Sequence, residues 1–256
     1  MATRWQEKQW GQPGGKLMTC CVAALCERRR TIILVADRML GAGIAQAELR
    51  INKIRPLHPD WKVMIAGNGV GPAFDIIDKT SRDLGSGPQT VDRVEQTMAK
   101  HFRERRIDEA SALGKPDHRL QISLLTAGFD ENGVGHIFTV SNPGLYARHD
   151  IPGFHAIGSG SFGAYYMLLY REIDIYMKAS LALYYAFEAK IFGESAPGVG
   201  VATDMYIFRR GQKALKVGKE SEKKMETIWN ALRPRWPKPE HKRRLERLKE
   251  IRFFAP

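Results

Sequence analysis

The order of the predicted strands and helices is the feature that most limits the folds available to this sequence. Apolar and β-branched runs predict strands at 19–26, 31–36, around 44–45, and at 53–57 and 62–66. Helical spacing of apolar residues then predicts two consecutive helices, near 71–84 and 90–107. The first part of the chain is therefore a group of strands followed by a pair of helices.

The second part of the chain repeats this order. Strands are predicted near 120–127, 134–140, 144–148 and 153–157, then helices after Gly158-Ser159-Gly160 and at about 177–192, then strands near 199–208 and 214–217. Helices that come in pairs argue against a doubly wound parallel sheet, in which single helices alternate with strands. The order favours a mixed α/β (α+β) fold, a four-layer αββα sandwich of two antiparallel sheets between helical layers.

The net charge of +12 is placed unevenly along the chain. Residues 209–256 hold 16 Lys and Arg against 6 Asp and Glu, whereas residues 1–208 hold 24 against 22. A basic tail on a nearly neutral body indicates an appended interaction or assembly segment. The helix predicted at about 239–252 leaves three interpretations open: a solvated face, docking on a neighbouring subunit through Leu245, Leu248 and Ile251, or nucleic-acid binding, which no motif supports.

Several classes of protein are not expected from this composition. No apolar run approaches the roughly 20 residues that span a bilayer, and the first 17 residues lack the apolar centre of a secretory signal. The cysteines Cys20, Cys21 and Cys26 lie in one predicted strand, where neighbours point to opposite faces, so a disulfide framework is implausible. We expect a cytoplasmic protein without a membrane partner.

Neither a metal ion nor a cofactor is expected. The seven histidines are scattered, without the spacing that places two of them on one metal. The run from Gly158 to Gly163 fits G-x-G-x-x-G, but the helical, aromatic sequence after it does not continue a dinucleotide-binding unit.

The residues with the most chemical content are Thr19, Asp37 and Lys53. A threonine hydroxyl is a weak nucleophile unless a base lies beside it, and an N-terminal α-amine can be that base. Thr19 would therefore act only at a chain terminus, after loss of residues 1–18. Residues 1–18 are a leader that is cut off, or else residues 1–17 result from a wrongly assigned gene start. In the second case Met18 is the true first residue, and an aminopeptidase removes it.

Four short motifs occur in order around these residues: Ala36-Asp37-Arg38, Asn52-Lys53-Ile54, Ile65-Ala66-Gly67, and Ala156-Ile157-Gly158-Ser159-Gly160-Ser161. With their spacing, they resemble the N-terminal nucleophile (Ntn) hydrolases, in particular proteasome β subunits and the related bacterial ATP-dependent peptidase. The resemblance covers about 19–208. It divides the chain into residues 1–18, an Ntn-hydrolase domain at 19–218 and a basic helical tail at 219–256.

The resemblance implies a threonine-type endopeptidase. Thr19 would be the nucleophile, Lys53 would stabilise its deprotonated form, and Asp37 would orient Lys53. The Gly67 amide would bind the oxyanion, and Ser159 would position the amine or a water. The resemblance also implies peptides or unfolded polypeptides as substrates, a homo-oligomeric ring and a partner ATPase.

The sequence departs from the family pattern at two places. Met18 precedes Thr19 where a glycine is usual, and the segment 196–201 lacks the Asp and Ser that support the nucleophile in proteasome β subunits. The alternative function is a non-catalytic, proteasome-like scaffold whose basic tail binds a partner. If the chain were cut one residue later, Cys20 would be the N-terminal nucleophile; as internal residues, the three cysteines are interpreted as buried strand residues.

Overall fold

The structure is a computed structural model, and it describes residues 19–42, 45–48, 52–114 and 121–233. The chain divides into two compact units, Met1–Val217 and Gly218–Pro256. Residues 1–18 and the predicted helix at 239–252 lie outside the described residues, so the predictions made for them stay predictions.

Within the described residues, the first unit contains twelve strands and four helices. The strands are β1 (Cys21–Cys26), β2 (Thr31–Asp37), β3 (Met39–Ala42), β4 (Ala45–Glu48), β5 (Ile54–His58), β6 (Trp61–Gly67), β7 (Ile122–Phe129), β8 (Gly135–Ser141), β9 (Leu145–Arg148), β10 (Phe154–Ile157), β11 (Thr203–Arg209) and β12 (Leu215–Lys216). The helices are α1 (Val70–Leu84), α2 (Val91–Leu113), α3 (Ser161–Tyr170) and α4 (Ala179–Gly193).

Ten of these strands form two antiparallel five-stranded sheets. Sheet I has the order β10-β1-β2-β11-β12, sheet II has the order β5-β6-β7-β8-β9, and β3 pairs with β4 as a separate hairpin. Helices α3 and α4 pack on sheet I, and α1 and α2 pack on sheet II. The predicted sandwich of two antiparallel sheets between helical layers is confirmed.

The two hydrophobic cores follow from the period of two along each strand. In β6, Trp61, Val63 and Ile65 face the core shared with α1 and α2, whereas Met64 and Ala66 face the core between the sheets. Sheet I contributes its own alternate residues to this central core: Cys21, Ala23, Leu25, Ile32, Leu34 and Ala36. Every residue of β1 and β2 is buried, because both faces of this hairpin are covered.

Most predicted boundaries differ from the structure by one residue or more, and three of these differences have an identifiable consequence. The first strand begins at Cys21, so Thr19 precedes the strand that it was predicted to open. Helix α2 continues to Leu113, beyond the predicted end at 107, and ends at Gly114 in the left-handed conformation. The strand predicted from 199 begins at Thr203, which pairs with Asp37, the last residue of its partner strand β2; Gly200 bonds to the Asp37 side chain instead.

The second unit contains one described helix, α5 (Lys219–Leu232), which agrees with the helix predicted from about 219 to Leu232. Its first turn carries Glu220 and Glu222, which favour a helix N-terminus. None of the described helices is long and apolar enough to cross a membrane.

Candidate active site

Thr19 lies just before β1, and the turn at 158–160 holds its backbone. The Gly160 amide donates to the Thr19 carbonyl oxygen at 3.1 Å. The Thr19 N–H, which belongs to the Met18–Thr19 peptide bond in the printed sequence, lies 3.3 Å from Ser159 Oγ. Thr19 is only 2% exposed. Its position is therefore set by β1 on one side and by the turn before α3 on the other.

Asp37, at the end of β2, accepts hydrogen bonds on both carboxylate oxygens. Oδ1 accepts from the Cys20 amide at 2.9 Å, from Lys53 Nζ at 2.8 Å and from the Thr19 hydroxyl. Oδ2 accepts from two backbone amides, those of Met39 and Gly200, each at 3.0 Å. An ionised carboxylate has about four acceptor sites. This set of donors therefore fixes the Asp37 side chain in one orientation.

Lys53 lies directly before β5 and is 3% exposed. Its ammonium group donates to Thr19 Oγ1 and forms the ion pair with Asp37. The neighbouring Asn52 fixes the backbone at this point: its Oδ1 accepts from the Ile54 amide at 2.9 Å, and its Nδ2 donates to the Tyr206 hydroxyl at 2.7 Å. The strand start that carries Lys53 is thus tied to β11.

The Thr19 hydroxyl is consequently placed between a cation and an anion. It donates to the Asp37 carboxylate and accepts from the Lys53 ammonium. A positive charge beside an oxygen stabilises its deprotonated form, and an oxygen held in this way is a candidate nucleophile. The three residues come from three separate segments, and the structure brings them into direct contact.

Ser159 is also at this site, where its hydroxyl has three neighbours. Oγ lies 3.3 Å from the Thr19 nitrogen, 3.3 Å from the Thr19 carbonyl oxygen and 3.4 Å from the Pro197 carbonyl oxygen. The structure therefore brings Ser159 next to the Thr19 backbone nitrogen, the atom that would become the α-amine after cleavage.

Gly67 ends β6 with φ +126°, and a Cβ there would lie 2.1 Å from the Gln121 carbonyl oxygen. Only glycine fits this close approach of the backbone. The end of β6 is near the nucleophile, since Cys21 Sγ lies 3.9 Å from Thr19 Oγ1 and 3.7 Å from the Ile65 carbonyl oxygen. The role of the Gly67 amide as an oxyanion donor stays a prediction.

The three cysteines are free thiols and buried. Burial raises the pKa of Cys20 far above its ordinary value and raises the pKa of Cys21 and of Cys26 to about 12. A thiol reacts as its thiolate, so a raised pKa suppresses its reactivity. This environment supports the interpretation of the cysteines as buried strand residues.

Two backbone amides, those of Met39 and Gly200, hold Asp37 Oδ2 and could not be identified from the sequence. Gly200 lies in the segment 196–201, which carries neither the Asp nor the Ser found there in proteasome β subunits. Its contribution comes from the peptide N–H, which every residue except proline possesses. Gly200 was instead predicted to lie in a strand near 199–208, so this contact was not expected.

Comparisons with known proteins identify no family for this chain, so a function has to be inferred from the geometry of the site. The sequence matches no protein-family model, and no curated protein matches it significantly. The contacts of Thr19, Asp37, Lys53 and Ser159 are therefore the evidence from which a function can be inferred.

Proposed function

We propose that this chain is an N-terminal nucleophile hydrolase of the threonine type, which cleaves peptide bonds through Thr19 after the Met18–Thr19 bond has been broken. The observation that carries the proposal is the pair of contacts made by the Thr19 hydroxyl, one with the Lys53 ammonium and one with the Asp37 carboxylate. Two oppositely charged, buried groups on one threonine hydroxyl are unusual in a purely structural role, because burying charges is costly.

The first half of the reaction forms an ester. Thr19 Oγ1 bonds to the carbonyl carbon of the substrate, and the hydroxyl proton passes to the Thr19 α-amine. The carbon–nitrogen bond of the substrate then breaks, and the leaving amine takes up that proton. A free α-amine has a pKa of about 8, so a substantial fraction is neutral near pH 7 and can accept a proton.

The second half of the reaction restores the enzyme. A water molecule gives a proton to the α-amine and attacks the ester carbon, after which the carbon–oxygen bond breaks and Thr19 Oγ1 regains its proton. Lys53 stabilises the negative charge on Oγ1 in both halves, and Asp37 keeps the Lys53 ammonium in position. Ser159 Oγ, 3.3 Å from the Thr19 nitrogen, would orient the amine.

The remaining parts of the proposal come from the resemblance to proteasome β subunits. They are assembly into a homo-oligomeric ring, unfolded polypeptides or peptides as substrates, a partner ATPase and a cytoplasmic location. Light scattering of the purified protein, which measures its mass in solution, tests the ring directly. A monomer at working concentration would contradict that part alone.

The test of the proposed function begins with the intact mass of the purified full chain. We expect a mature chain that begins at Thr19, hydrolyses unstructured peptides and is labelled at its N-terminus by electrophiles that trap N-terminal threonine. Thr19→Ala should abolish hydrolysis and labelling, whereas Thr19→Ser, which keeps a hydroxyl, should retain both.

Two results would contradict the proposal, each in a different way. A purified native chain that still begins at Met1 or Met18 would favour the non-catalytic scaffold, because Thr19 would then have no α-amine. Hydrolysis by Thr19→Ala at the wild-type rate would mean that another residue is the nucleophile.

A further inference from the structure

Lys190, on the last turn of α4, is a lysine with no exposed surface. Its ammonium group donates to Glu194 Oε1 at 2.6 Å and to the Val201 carbonyl oxygen at 2.7 Å. Lysine is almost never fully buried unless it is paired. The pairing with Glu194 balances the charge, and the second bond connects α4 to the segment that precedes β11.

The segment that precedes β11, residues 200–202, is also bonded to residues of the candidate active site. The Gly200 amide, one residue before Val201, donates to Asp37 Oδ2 at 3.0 Å. The Ala202 carbonyl oxygen, one residue after, accepts from the Arg38 amide at 3.0 Å. The Val201 side chain is 73% exposed, so it does not anchor the segment by packing. The Val201 carbonyl oxygen accepts from the Lys190 ammonium at 2.7 Å and from the Thr203 hydroxyl at 3.1 Å.

The end of α4 also reaches the residue next to the nucleophile. A Cβ on Gly193 would lie 2.7 Å from Cys20 Sγ, and the charge of Lys190 acts to lower the pKa of Cys20, against the larger effect of burial. Lys190 is therefore a buried cation on the helix whose end packs against Cys20, whereas Lys53 contacts the Thr19 hydroxyl directly.

We propose that Lys190 is a positioning residue for Asp37. Its ammonium group holds the Val201 carbonyl oxygen, which keeps the Gly200 amide directed at Asp37 Oδ2. With Oδ2 held in this way, Oδ1 is presented to Lys53 and Thr19. The catalytic part of this inference rests on the proposed function, whereas the structural part concerns only the Gly200–Asp37 bond.

Three variants of the full chain separate positioning from simple destabilisation. Lys190→Met removes the buried cation that pairs with Glu194 and bonds the Val201 carbonyl oxygen, so it should also lower the stability. Lys190→Met with Glu194→Gln removes both charges, which limits that loss. Lys190→Arg keeps a cation that can reach the same carbonyl oxygen. Lys79→Met, at a half-exposed pair with Asp75 on α1, is the control for loss of a helical lysine.

In peptide hydrolysis, we expect the double variant to lose about 10- to 100-fold in kcat, since a small misplacement of a catalytic group has an effect of this size. KM should stay within about twofold, because no substrate contact is removed. The pH profile of kcat should shift, and Lys190→Arg should recover part of the rate. Wild-type kcat and pH profile in a folded double variant would overturn the inference.

A measurement without substrate tests the inference separately from the proposed function. Amide hydrogen exchange followed by NMR should show the Gly200 amide exchanging at least about 10-fold faster in the double variant. The Met39 amide, which bonds the same Asp37 oxygen, should change less. An unchanged Gly200 amide overturns the positioning role even if the enzyme is active. Absence of Thr19-dependent hydrolysis in the wild type instead contradicts the proposed function, and the Gly200 exchange rate still decides whether Lys190 orients Asp37.

Discussion

Gly158 is in backbone contact with Thr19, and only glycine fits there. A Cβ at Gly158 would lie 2.2 Å from the Thr19 carbonyl oxygen and 2.5 Å from Thr19 Cγ2. Gly158 also has φ +100°, a conformation that side chains rarely adopt. The position of the proposed nucleophile therefore depends on a residue 139 positions away that has no side chain.

Gly158→Ala should displace Thr19 and lower peptide hydrolysis about 100-fold or more. Backbone strain at this φ should also lower the free energy of unfolding by about 1–3 kcal/mol. Urea denaturation and kcat, measured on the same sample, check both effects. Gly71→Ala on α1 is the control: a Cβ there meets nothing within 4 Å, so stability should be unchanged or slightly higher. Equal behaviour of the two variants would contradict the contact.

Lys53→Met should destabilise the fold as well as abolish activity. The ion pair with Asp37 is buried on both sides, and removal of one partner leaves an uncompensated charge, at a cost of about 3–5 kcal/mol. Lys79→Met, at a partly exposed pair, should cost under about 1 kcal/mol. The two free energies of unfolding, compared by urea denaturation, test this difference. Similar small losses would show that the Lys53–Asp37 pair does not stabilise the native state.

The three thiols should be unreactive in the native protein. Burial raises the pKa of Cys21 and of Cys26 to about 12 and raises that of Cys20 still further above its ordinary value. At pH 8 the thiolate fraction is therefore very small. Titration with a thiol reagent should detect no fast-reacting group before denaturant is added and three afterwards. A fast-reacting thiol in the native protein would contradict the interpretation of the cysteines as inert, buried strand residues.

The protein should lose stability as the pH falls from about 6.5 towards 4, partly because of His155. Burial, and then the neighbouring His149, lowers the pKa of His155 to about 4, and the two rings stack with centroids 3.6 Å apart. In this window the unfolded chain binds a proton that the native state does not, so the stability present above pH 6.5 is lost. The loss from this residue is on the order of 2 kcal/mol.

His155→Phe keeps an aromatic ring that can stack on His149 and removes the imidazole group that takes up a proton in the unfolded chain. The pH dependence of its free energy of unfolding between pH 4 and 6.5 should therefore be shallower than that of the wild type. Denaturation curves at several pH values measure both slopes. Parallel slopes would show that His155 does not contribute to the acid sensitivity.

The fold was largely predictable because its signals are local. The apolar runs of β1 and β2 and the helical spacing of α2 depend only on neighbouring residues, and the antiparallel sandwich follows from their order. The starts of β1 at Cys21 and of β11 at Thr203 were not predictable, because they depend on contacts with residues far away in the chain. In the site, Thr19, Asp37 and Lys53 were identified by motif and spacing. Gly200 and Lys190 were missed, since a backbone amide has no sequence signature and a buried lysine looks like an exposed one.

The sequence by itself determined the class of fold, through residue periodicity, and the identity of the candidate nucleophile and its charged neighbours, through their spacing. Only the tertiary structure decided that one Asp37 oxygen bonds Lys53 and Thr19 while the other bonds Gly200. It also decided that the Gly158 turn lies against the Thr19 backbone. The physical reason is that these contacts join segments far apart in the chain, and they form only when the two sheets and α4 pack together.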